Sequence, residues 1–348
     1  MTKPHTPDSV DVNQLVQEND AGGRQPGPAV AKFLLAVAVA WSVFQLWIAS
    51  PLPFSTGVLM FNDTESRAIH LAFAVFLGFL AYPAHKRSPR DFVPAIDWLL
   101  ALVGAFCAAY LFTFYRELAT RPGQPTTMDV WTAVVGIVLL LEATRRVLGL
   151  PMVIVATVFL GYTFAGPLMP DLLAHRGASL DRAMTHQWLT TEGVFGVALG
   201  VSSGFIFLFV LFGSLLDKAG AGNYFIKSAL ALLGHLRGGP AKAAVVSSAA
   251  TGIISGSSIA NVVTTGTFTI PLMKRVGYRG DQAGAVEVSS SVNGQIMPPV
   301  MGAAAFLMVE YVGIPYIDVM KHAFLPAIIS YIALFYIVHL EALKSGME

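Results

Sequence analysis

The sequence predicts an all-α protein that crosses a membrane several times, and three observations support this fold class. Hydrophobic residues make up 55% of the 348 residues, whereas charged residues make up only 12%, about half of their share in a typical soluble domain. The mean hydropathy is +0.63. The apolar residues also cluster in runs of about 20 residues, the length that an α-helix needs to cross the hydrocarbon core of a bilayer.

Composition and motifs argue against several functions. The net charge is +1 and no Lys- and Arg-rich patch contains interleaved aromatic residues, so we expect no nucleic acid partner. The sequence lacks a GxxxxGK[ST] motif, an HExxH motif and a serine nucleophile elbow, so we expect neither an enzyme nor an ATP-driven pump, and no cofactor. The single cysteine, Cys107, lies in an apolar run and is expected to be a small buried hydrophobic residue.

The first part of the chain is expected to be a tail followed by a helical unit. Residues 1–28 are polar and rich in Asp, Gly and Pro, so we expect them to be disordered. Lys and Arg are concentrated in the loop after the second apolar run and again after the fourth, so the positive-inside rule places the N-terminus in the cytoplasm. Four apolar runs predict a compact four-helix unit over 29–147, with helices at 29–49, 68–84, 95–115 and 130–144.

The second part, 148–348, combines ordinary spans with an unusual apolar segment. Residues 240–275 form two apolar limbs of about 15 residues on either side of the polar stretch 255–258. At about 1.5 Å per residue each limb reaches roughly 22 Å, less than a hydrocarbon core of about 30 Å. This pattern predicts a re-entrant helical hairpin whose polar tip is buried in protein or lines a water-filled cavity. Ordinary spans are expected at 150–169, 194–216 and 323–340, with a surface-parallel arm at 223–235.

A broken helix is expected at 282–310, because Pro298 and Pro299 remove two adjacent backbone donors from its centre. Half-helices expose N–H groups that attract carboxylates and C=O groups that can hold a cation, and secondary transporters build sites in this way. The alternative is that the small polar residues only join helices. Neutral oxygens suited to Na⁺, and hydrogen-bond donors for an anionic solute, are offered by Ser255, Ser257, Ser258, Asn261, Thr264, Thr265, Ser291, Asn293 and Gln295.

Ionisable residues within the spans have separate interpretations. Glu287 lies one to two turns before the break and is a candidate for proton coupling, because intramembrane carboxylates are costly. The alternative for this residue is a carboxylate that is interfacial or paired with another helix. Glu142 precedes Arg145 and Arg146 by three and four residues, which predicts structural ion pairs on one helix face. We expect Asp97 and His70, near helix ends, to be interfacial.

Four segments resemble the fused membrane subunit of TRAP transporters, specifically its TAXI branch. They are GIISGSSIANVVTTGTFTIPLMKRVGY at 252–278, AGAVEVSSSVNGQIMPPVMGAAAFLM at 283–308, LTTEGVFGVALGVSSGFIFLFVLFGSLLDKAGAG at 189–222 and IPYIDVMKHAFLPA at 314–327. The resemblance covers residues 150–345 closely. The four N-terminal helices resemble the small membrane subunit more loosely.

This resemblance implies a sodium-driven symporter of organic acid anions in the bacterial inner membrane. A periplasmic TAXI-type solute-binding protein would deliver a small carboxylate. A transport domain would then move as an elevator against a scaffold that the four-helix unit enlarges. The hairpin tip and the broken helix would form one wall of the solute site and one Na⁺ site. Carried onto this chain, that wall includes Ser255, Gly256, Ser257, Ser258, Asn261, Thr264, Thr265, Ser291, Asn293, Gly294, Gln295 and Pro298. The expected Na⁺ ligands among them are Ser258, Asn261, Ser291 and Asn293.

The sequence departs from the fused subunits in length, since those proteins are about twice as long. We expect this chain to hold the first repeat of the large subunit without the second, as a truncated form, a domain fragment or half of a split protein. Such a chain would not transport alone and would need a partner that supplies the second half. The alternatives are a non-transporting membrane scaffold or assembly subunit, and a proton-coupled carrier that uses Glu287.

Overall fold

The computed structural model describes residues 23–85 and 87–346, except for the side chain of Asp217. Within these residues all regular structure is helical, which confirms the predicted fold class. Seven of the helical segments are long and apolar enough to cross a membrane, so the chain is a multi-pass membrane protein. These segments are Pro28–Ala49, Asp63–Ala81, Ala95–Thr113, Thr127–Leu148, Leu150–Leu168, Val197–Leu216 and Tyr316–Lys344.

Contacts between Cα atoms divide the chain into two compact units, residues 1–204 and 205–348. The first unit therefore extends well past the expected boundary at residue 147. One reason is Trp188, which is buried in this unit and donates its indole N–H to the Cys107 carbonyl at 3.0 Å. A Cβ atom at Gly136 would lie 2.3 Å from the Trp188 ring, so the indole occupies space that only glycine leaves open.

In the described residues of the first unit, the helices are short at the connections and long at the spans. They are α1 (Pro28–Ala49), α2 (Leu52–Thr56), α3 (Asp63–Ala81), α4 (Ala95–Thr113), α5 (Tyr115–Thr120), α6 (Thr127–Leu148), α7 (Leu150–Ala165), α8 (Leu180–Leu189) and α9 (Val197–Val201). A 3₁₀ turn, Gly166–Leu168, follows α7. A π-helical segment, Ser202–Ile206, follows α9.

The starts of the long helices are encoded locally. Pro28 occupies the first turn of α1, where its missing N–H breaks no helical hydrogen bond. Helix α3 begins with a capping box: the Glu65 N–H donates to the Asn62 side chain at 2.8 Å, and the Asn62 N–H donates to the Glu65 carboxylate at 2.9 Å. Thr126 and Asp129 form the same arrangement at α6. These caps fix where two membrane helices begin.

A charged cluster connects α3, α4 and α6. Asp97, in the first turn of α4, is buried rather than interfacial, and its carboxylate pairs with Arg24 and, at 2.7 Å, with Arg146. Arg146 also pairs with Glu142 at 2.8 Å, and Arg145 pairs with Glu142 at 2.7 Å, as predicted. Buried ion pairs offset their desolvation cost only when each charge is hydrogen-bonded, which holds for these five residues.

Part of the tail that was expected to be disordered is held by this cluster. The Arg24 guanidinium donates to the carbonyls of Phe79 and Leu80 at 3.3 Å, and its backbone N–H donates to the Ala81 carbonyl at 2.8 Å. The expectation of disorder therefore does not hold for residues 23–27, and residues 1–22 lie outside the described residues. His70 was also expected at the interface, but its side chain is buried.

The second unit contains the predicted hairpin and broken helix. Its described helices are α10 (Phe207–Lys218), α11 (Ala221–Leu233), α12 (Gly239–Ser255), α13 (Ser258–Arg275), α14 (Gly280–Asn293), α15 (Ala303–Met308) and α16 (Tyr316–Lys344). A 3₁₀ turn, Gly294–Ile296, follows α14, and a π-helical turn, Val309–Gly313, follows α15. The predicted arm at 223–235 forms most of α11, which packs against α12.

The limits of the two key elements agree closely with the sequence pattern. The hairpin expected at 240–275 corresponds to α12 and α13, joined by Gly256 and Ser257. The broken helix expected at 282–310 corresponds to α14 and α15, with an irregular stretch at 297–302 between them. Fully buried alanines, Ala244 of α12 and Ala342 of α16, belong to the apolar core that joins these elements. Small side chains thus let the hairpin and the last helix approach closely.

Replacing Trp188 with alanine tests whether α8 completes the first unit. We expect Trp188→Ala to lower the free energy of unfolding by about 3–5 kcal/mol, because a large buried side chain is lost and leaves a cavity. The matched control is Trp131→Ala, since the Trp131 side chain is 64% exposed and an exposed substitution should change stability by no more than about 0.5 kcal/mol. Denaturant unfolding in detergent measures both. Equal losses would contradict the role of Trp188.

Candidate functional site

The tip of the hairpin touches the segment that follows the two prolines. Gly256 has a positive φ of 60°, which ends α12 and turns the chain into α13. A Cβ atom at Gly256 would lie 1.9 Å from the Met301 carbonyl oxygen. Only glycine allows both this backbone conformation and this approach. The hairpin tip and the break therefore meet through their main chains.

A second main-chain contact lies one turn deeper in the hairpin. A Cβ atom at Gly252 would lie 2.7 Å from the Cα atom of Gly294, in the 3₁₀ turn after α14. A Cβ atom at Gly294 would lie 2.9 Å from Nδ2 of Asn261, which belongs to α13. Three elements thus converge at Gly294 with almost no side chain between them.

Asn261 is the polar residue at this convergence. It is buried, and its Nδ2 donates to the Ser248 carbonyl at 2.9 Å, which fixes the amide. Its Oδ1 is also buried but accepts no hydrogen bond within the described residues. Buried polar atoms are nearly always partnered, because leaving one unpaired costs about 1–3 kcal/mol. Asn261 Oδ1 is therefore the atom most ready to receive a cation or a donor.

Hydroxyl groups accompany this amide. The Ser248 and Ser291 hydroxyl oxygens lie 3.3 Å apart, and both residues are buried. At the tip, Gln295 Nε2 donates to the Ser258 hydroxyl at 2.7 Å, which links the broken helix to the first turn of α13. The junction between hairpin and break is thus lined by neutral oxygens, the ligands that Na⁺ prefers.

The remaining candidates play lesser parts. Ser257 caps α13, since its hydroxyl accepts from the Ala260 N–H at 3.3 Å, and Ser255 accepts from the Ser257 N–H at 3.3 Å. Thr264, Asn293 and Pro298 belong to the same elements, but their side chains make no hydrogen bond within the described residues. Thr265 is directed to Glu287 instead of to the tip.

Glu287 forms a separate polar cluster between α13 and α14. Its side chain is 0% exposed, so the carboxylate is not interfacial but lies buried against another helix. Its carboxylate accepts from the hydroxyls of Thr265 and Thr269, the latter at 2.5 Å. Each hydroxyl also faces a backbone carbonyl. The Thr265 hydroxyl lies 2.9 Å from the Asn261 carbonyl, and the Thr269 hydroxyl lies 2.9 Å from the Thr265 carbonyl. The two threonine hydroxyl hydrogens therefore face four acceptors, and the Ser291 hydroxyl also contacts the Glu287 carboxylate.

Comparison with known proteins identifies the family. The sequence model of the "Tripartite ATP-independent periplasmic transporter, DctM component" matches residues 135–348, more than half of the chain. The chain belongs to this family. It is a family of transport permeases and not of enzymes, which agrees with the absence of the enzyme motifs from the sequence. The hairpin and the broken helix both lie inside the matched DctM region.

Individual DctM relatives match shorter segments. The ectoine TRAP transporter large permease protein TeaC of Halomonas elongata is 30% identical over 95 residues, 27% of this chain and 22% of that protein. The C4-dicarboxylate TRAP transporter large permease protein DctM of Rhodobacter capsulatus is 34% identical over 91 residues, 26% of this chain and 21% of that protein. The chain thus matches about a fifth of the length of these relatives. No solved structure matches it.

Several residues of this candidate site were not predicted from the sequence. Ser248 and Gly252 precede Gly256 at helical spacing; Gly252 is indicated by the sequence only as part of a weak small-xxx-small match, and the small-residue face of α12 was the signal that could have found both. Met301 and Tyr316 gave no such signal. The Tyr316 hydroxyl lies 2.7 Å from the carbonyls of both Pro299 and Val300, and so covers two acceptors that the break leaves free.

Replacing Gly256 with alanine tests the main-chain contact. We expect Gly256→Ala to lower the free energy of unfolding by about 2 kcal/mol or more, because the left-handed conformation costs about 1–2 kcal/mol and the overlap with Met301 adds to it. The control is Gly284→Ala in α14, where an added Cβ meets nothing within 4 Å and should stabilise the helix slightly. Denaturant unfolding measures both variants, and a neutral Gly256→Ala would show that the tip does not rest on Met301.

Proposed function

We propose that this chain is the membrane permease component of a binding-protein-dependent secondary importer of organic acid anions, driven by a Na⁺ gradient. The observation that carries the proposal is the unpartnered, buried Asn261 Oδ1 at the junction of a hairpin and a broken helix. The names of the relatives, which specify C4-dicarboxylate and ectoine transport for those proteins, support a small carboxylate as the solute class.

The cation would bind at the buried end of the junction. The Asn261 amide is held by its bond to the Ser248 carbonyl, so Oδ1 is presented without rotation. The hydroxyls of Ser248 in α12 and Ser291 in α14 lie 3.3 Å apart at the same junction. Ser258 and Asn293 complete the set expected from the sequence, although the Ser258 hydroxyl also accepts from Gln295. A neutral oxygen set of this kind suits a hard monovalent cation without requiring a buried carboxylate.

The solute would bind at the more exposed end, near the start of α13. This helix has 18 residues, and the partial positive charge at its N-terminus favours a carboxylate. Gly256, Ser257 and Ser258 form the tip there, and Gln295 approaches from the broken helix. Cation and anion would then be held by the same two elements, so that each favours binding of the other.

The wider assembly follows from this role. The hairpin and the broken helix would form the moving transport domain of an elevator, and helices α1–α6 would serve as its scaffold, in the manner of a fused small subunit. A periplasmic solute-binding protein of the TAXI type would deliver the solute to a permease in the bacterial inner membrane. The N-terminus would lie in the cytoplasm, since Arg87 and Arg90 follow α3 and Arg145 and Arg146 end α6.

Substituting Asn261 tests the cation site. We expect Asn261→Ala to raise the Na⁺ concentration for half-maximal uptake at least tenfold, a loss of about 1.4 kcal/mol of binding free energy, because the presented oxygen is removed. The matched control is Ser289→Ala, an exposed hydroxyl on α14, which should leave uptake unchanged. Uptake is measured in proteoliposomes that contain the complete transporter, its binding protein and a Na⁺ gradient. Unaltered Na⁺ dependence in Asn261→Ala would reject this site.

A second candidate function, proton coupling, is favoured by the Glu287 cluster. The hydroxyls of Thr265, Thr269 and Ser291 contact the Glu287 carboxylate, and both threonine hydroxyls also face backbone carbonyls, so a protonated Glu287 would supply a further hydrogen to the cluster. Glu287 lies on the same helix as Ser291, one turn earlier. A change in its protonation could therefore be transmitted to the proposed cation site. Under this alternative a proton replaces or accompanies Na⁺.

Glu287→Gln separates the two coupling modes. The amide keeps one acceptor and supplies N–H donors, so the variant preserves the packing but cannot release a proton. If protons drive uptake, the variant should lose at least nine-tenths of the uptake driven by an outside-acid pH gradient, while uptake driven by Na⁺ persists. Thr269→Val, which removes one hydroxyl and retains the carboxyl group, is the control. Equal pH-driven uptake by Glu287→Gln and the unsubstituted protein would exclude the proton-carrying role.

A further inference from the structure

A polar cluster in the first unit is not used by the proposed transport function. Helix α1 faces outward over nearly its whole length, and its one buried residue is a polar one, Gln45. Gln45 meets His70 of α3, which is also buried. Burying an amide and an imidazole costs free energy unless both are fully hydrogen-bonded. The hydrogen bonds of Gln45 and His70 therefore show which groups satisfy the two buried side chains.

The hydrogen bonds around His70 select one form of its ring. Nδ1 lies 2.5 Å from Gln45 Nε2 and 3.2 Å from the indole N–H of Trp41, and both groups donate to it. An Nδ1 that accepts hydrogen bonds carries no hydrogen, so the neutral ring holds its hydrogen on Nε2. Nε2 faces the Ser202 hydroxyl at 3.3 Å. In this arrangement Gln45 Oε1 is buried and has no partner within the described residues.

A cavity of about 570 Å³ is lined by residues within one helical turn of the cluster. Ser66 lines it from α3, one turn before His70, and Ala49 lines it from α1, one turn after Gln45. Ser203, next to Ser202, lines it from the π-helical segment. Asp63 and Glu65 also line it, together with residues of the loop between α2 and α3. A cavity of this size with hydroxyl and carboxylate groups can hold water.

Charged groups of the surrounding helices are engaged elsewhere. Helix α3 packs against α1, α4, α6 and α9. On these helices, Asp97 pairs with Arg24 and Arg146, Asp129 pairs with Arg121, and Glu142 pairs with Arg145 and Arg146, whereas Lys32 lies in the first two turns of α1. On α3 itself Arg67 pairs with Asp63, and Glu65 caps the helix. The sequences of α9 and of the segment Ser202–Ile206 contain no ionisable residue.

We propose that His70 is a proton-binding site supplied with water through this cavity, and that protonation exchanges its hydrogen-bond partners. A proton from cavity water adds to Nδ1, and the ring becomes an imidazolium. A half-turn of the Gln45 amide then presents Oε1 to the new Nδ1–H, which gives the orphaned oxygen its missing donor. The Trp41 indole no longer donates to Nδ1, while Nε2–H still donates to Ser202.

Protonation of His70 would therefore change the hydrogen bonds between α1 and α3. In the neutral form Trp41 and Gln45 both attach α1 to α3 through one nitrogen atom. In the protonated form the bond from Trp41 to Nδ1 is lost and the bond to Gln45 is kept. Ser202 opens the π-helical segment within the candidate span Val197–Leu216, and π-helical turns often mark functional positions in helices. His70 thus joins α1 to this segment and responds to pH at their meeting point.

Water access to the cluster is tested first with single cysteines. The native Cys107 is buried, so Cys107→Ala gives a cysteine-free background. In this background, Ser66→Cys lines the cavity, whereas Val75→Cys lies on the same helix in the apolar core. We expect a small water-soluble thiol reagent to label Ser66→Cys at least ten times faster than Val75→Cys in the full chain in lipid nanodiscs. Equal labelling rates would overturn the water-filled access.

Protonation is tested by the fluorescence of Trp41, because a protonated imidazole in contact with an indole quenches its emission. The Trp41 contribution is the difference between the wild-type chain and Trp41→Phe, measured between about pH 2.5 and 8, because a buried histidine can titrate well below the usual range. We expect this contribution to fall on acidification. Gln45→Leu removes the acceptor for Nδ1–H, so the midpoint should move to lower pH by about one unit or more.

His70→Gln should abolish the titration, and His186→Gln, at an exposed histidine, should leave it unchanged. If His70→Gln fails to fold, the shift in the folded Gln45→Leu variant still decides the question. A Trp41 contribution that does not vary with pH in the wild-type chain would overturn the proposal. A titration that Gln45→Leu leaves in place would overturn the exchange of partners. Both results are independent of whether the second unit transports carboxylates.

Discussion

Two adjacent prolines leave the chain between α14 and α15 with main-chain carbonyls that no helix can use, and much of the second unit is arranged to satisfy them. In the hydrocarbon core of a bilayer no water can hydrogen-bond to such groups, so protein groups must provide the hydrogen bonds. Tyr316 covers the carbonyls of Pro299 and Val300, and the Gly302 N–H donates to the Gln295 carbonyl at 2.7 Å. The Met301 carbonyl faces Gly256. The hairpin tip, the break and the start of α16 therefore depend on one another.

This constraint also explains why the junction is built from glycine. Gly252, Gly256 and Gly294 bring main chains into direct contact, and a contact between main chains cannot be adjusted by a change of rotamer. The amide of Asn261 is then held in a rigid frame with one oxygen left over. Rigidity of this kind favours recognition of a small ion, since ligands that are already in place lose little entropy on binding.

The sequence was most informative where structure is decided locally. The seven spans, the hairpin at 240–275 and the break at Pro298 and Pro299 follow from hydropathy, length and the missing proline donors. Ser255–Ser258 indicated the tip for the same reason, because polar residues inside an apolar segment are costly in a membrane. The ion pairs of Glu142 were predictable from their spacing on one helix.

What the sequence did not indicate depends on residues that are far apart in the chain. The length of the first unit was underestimated because Trp188 fills a space that Gly136, on another helix, leaves open. Asp97 and His70 were expected at the interface because their partners, Arg24 and Gln45, cannot be paired with them by any local rule. Ser248 was overlooked because a serine among small residues in an apolar helix resembles any of its neighbours. These contacts are properties of the fold and not of any single segment.

The position of Trp188 has a consequence for biosynthesis. The indole lies against α6 and against the carbonyl of Cys107 in α4, yet it is carried by α8, and α7 intervenes. While the chain is emerging from the ribosome, the bundle of early helices therefore has an unfilled groove along Gly136. That groove closes only after α7 has been inserted and α8 has folded back. The residue that fills the space beside Gly136 is therefore synthesised after the helices against which it packs.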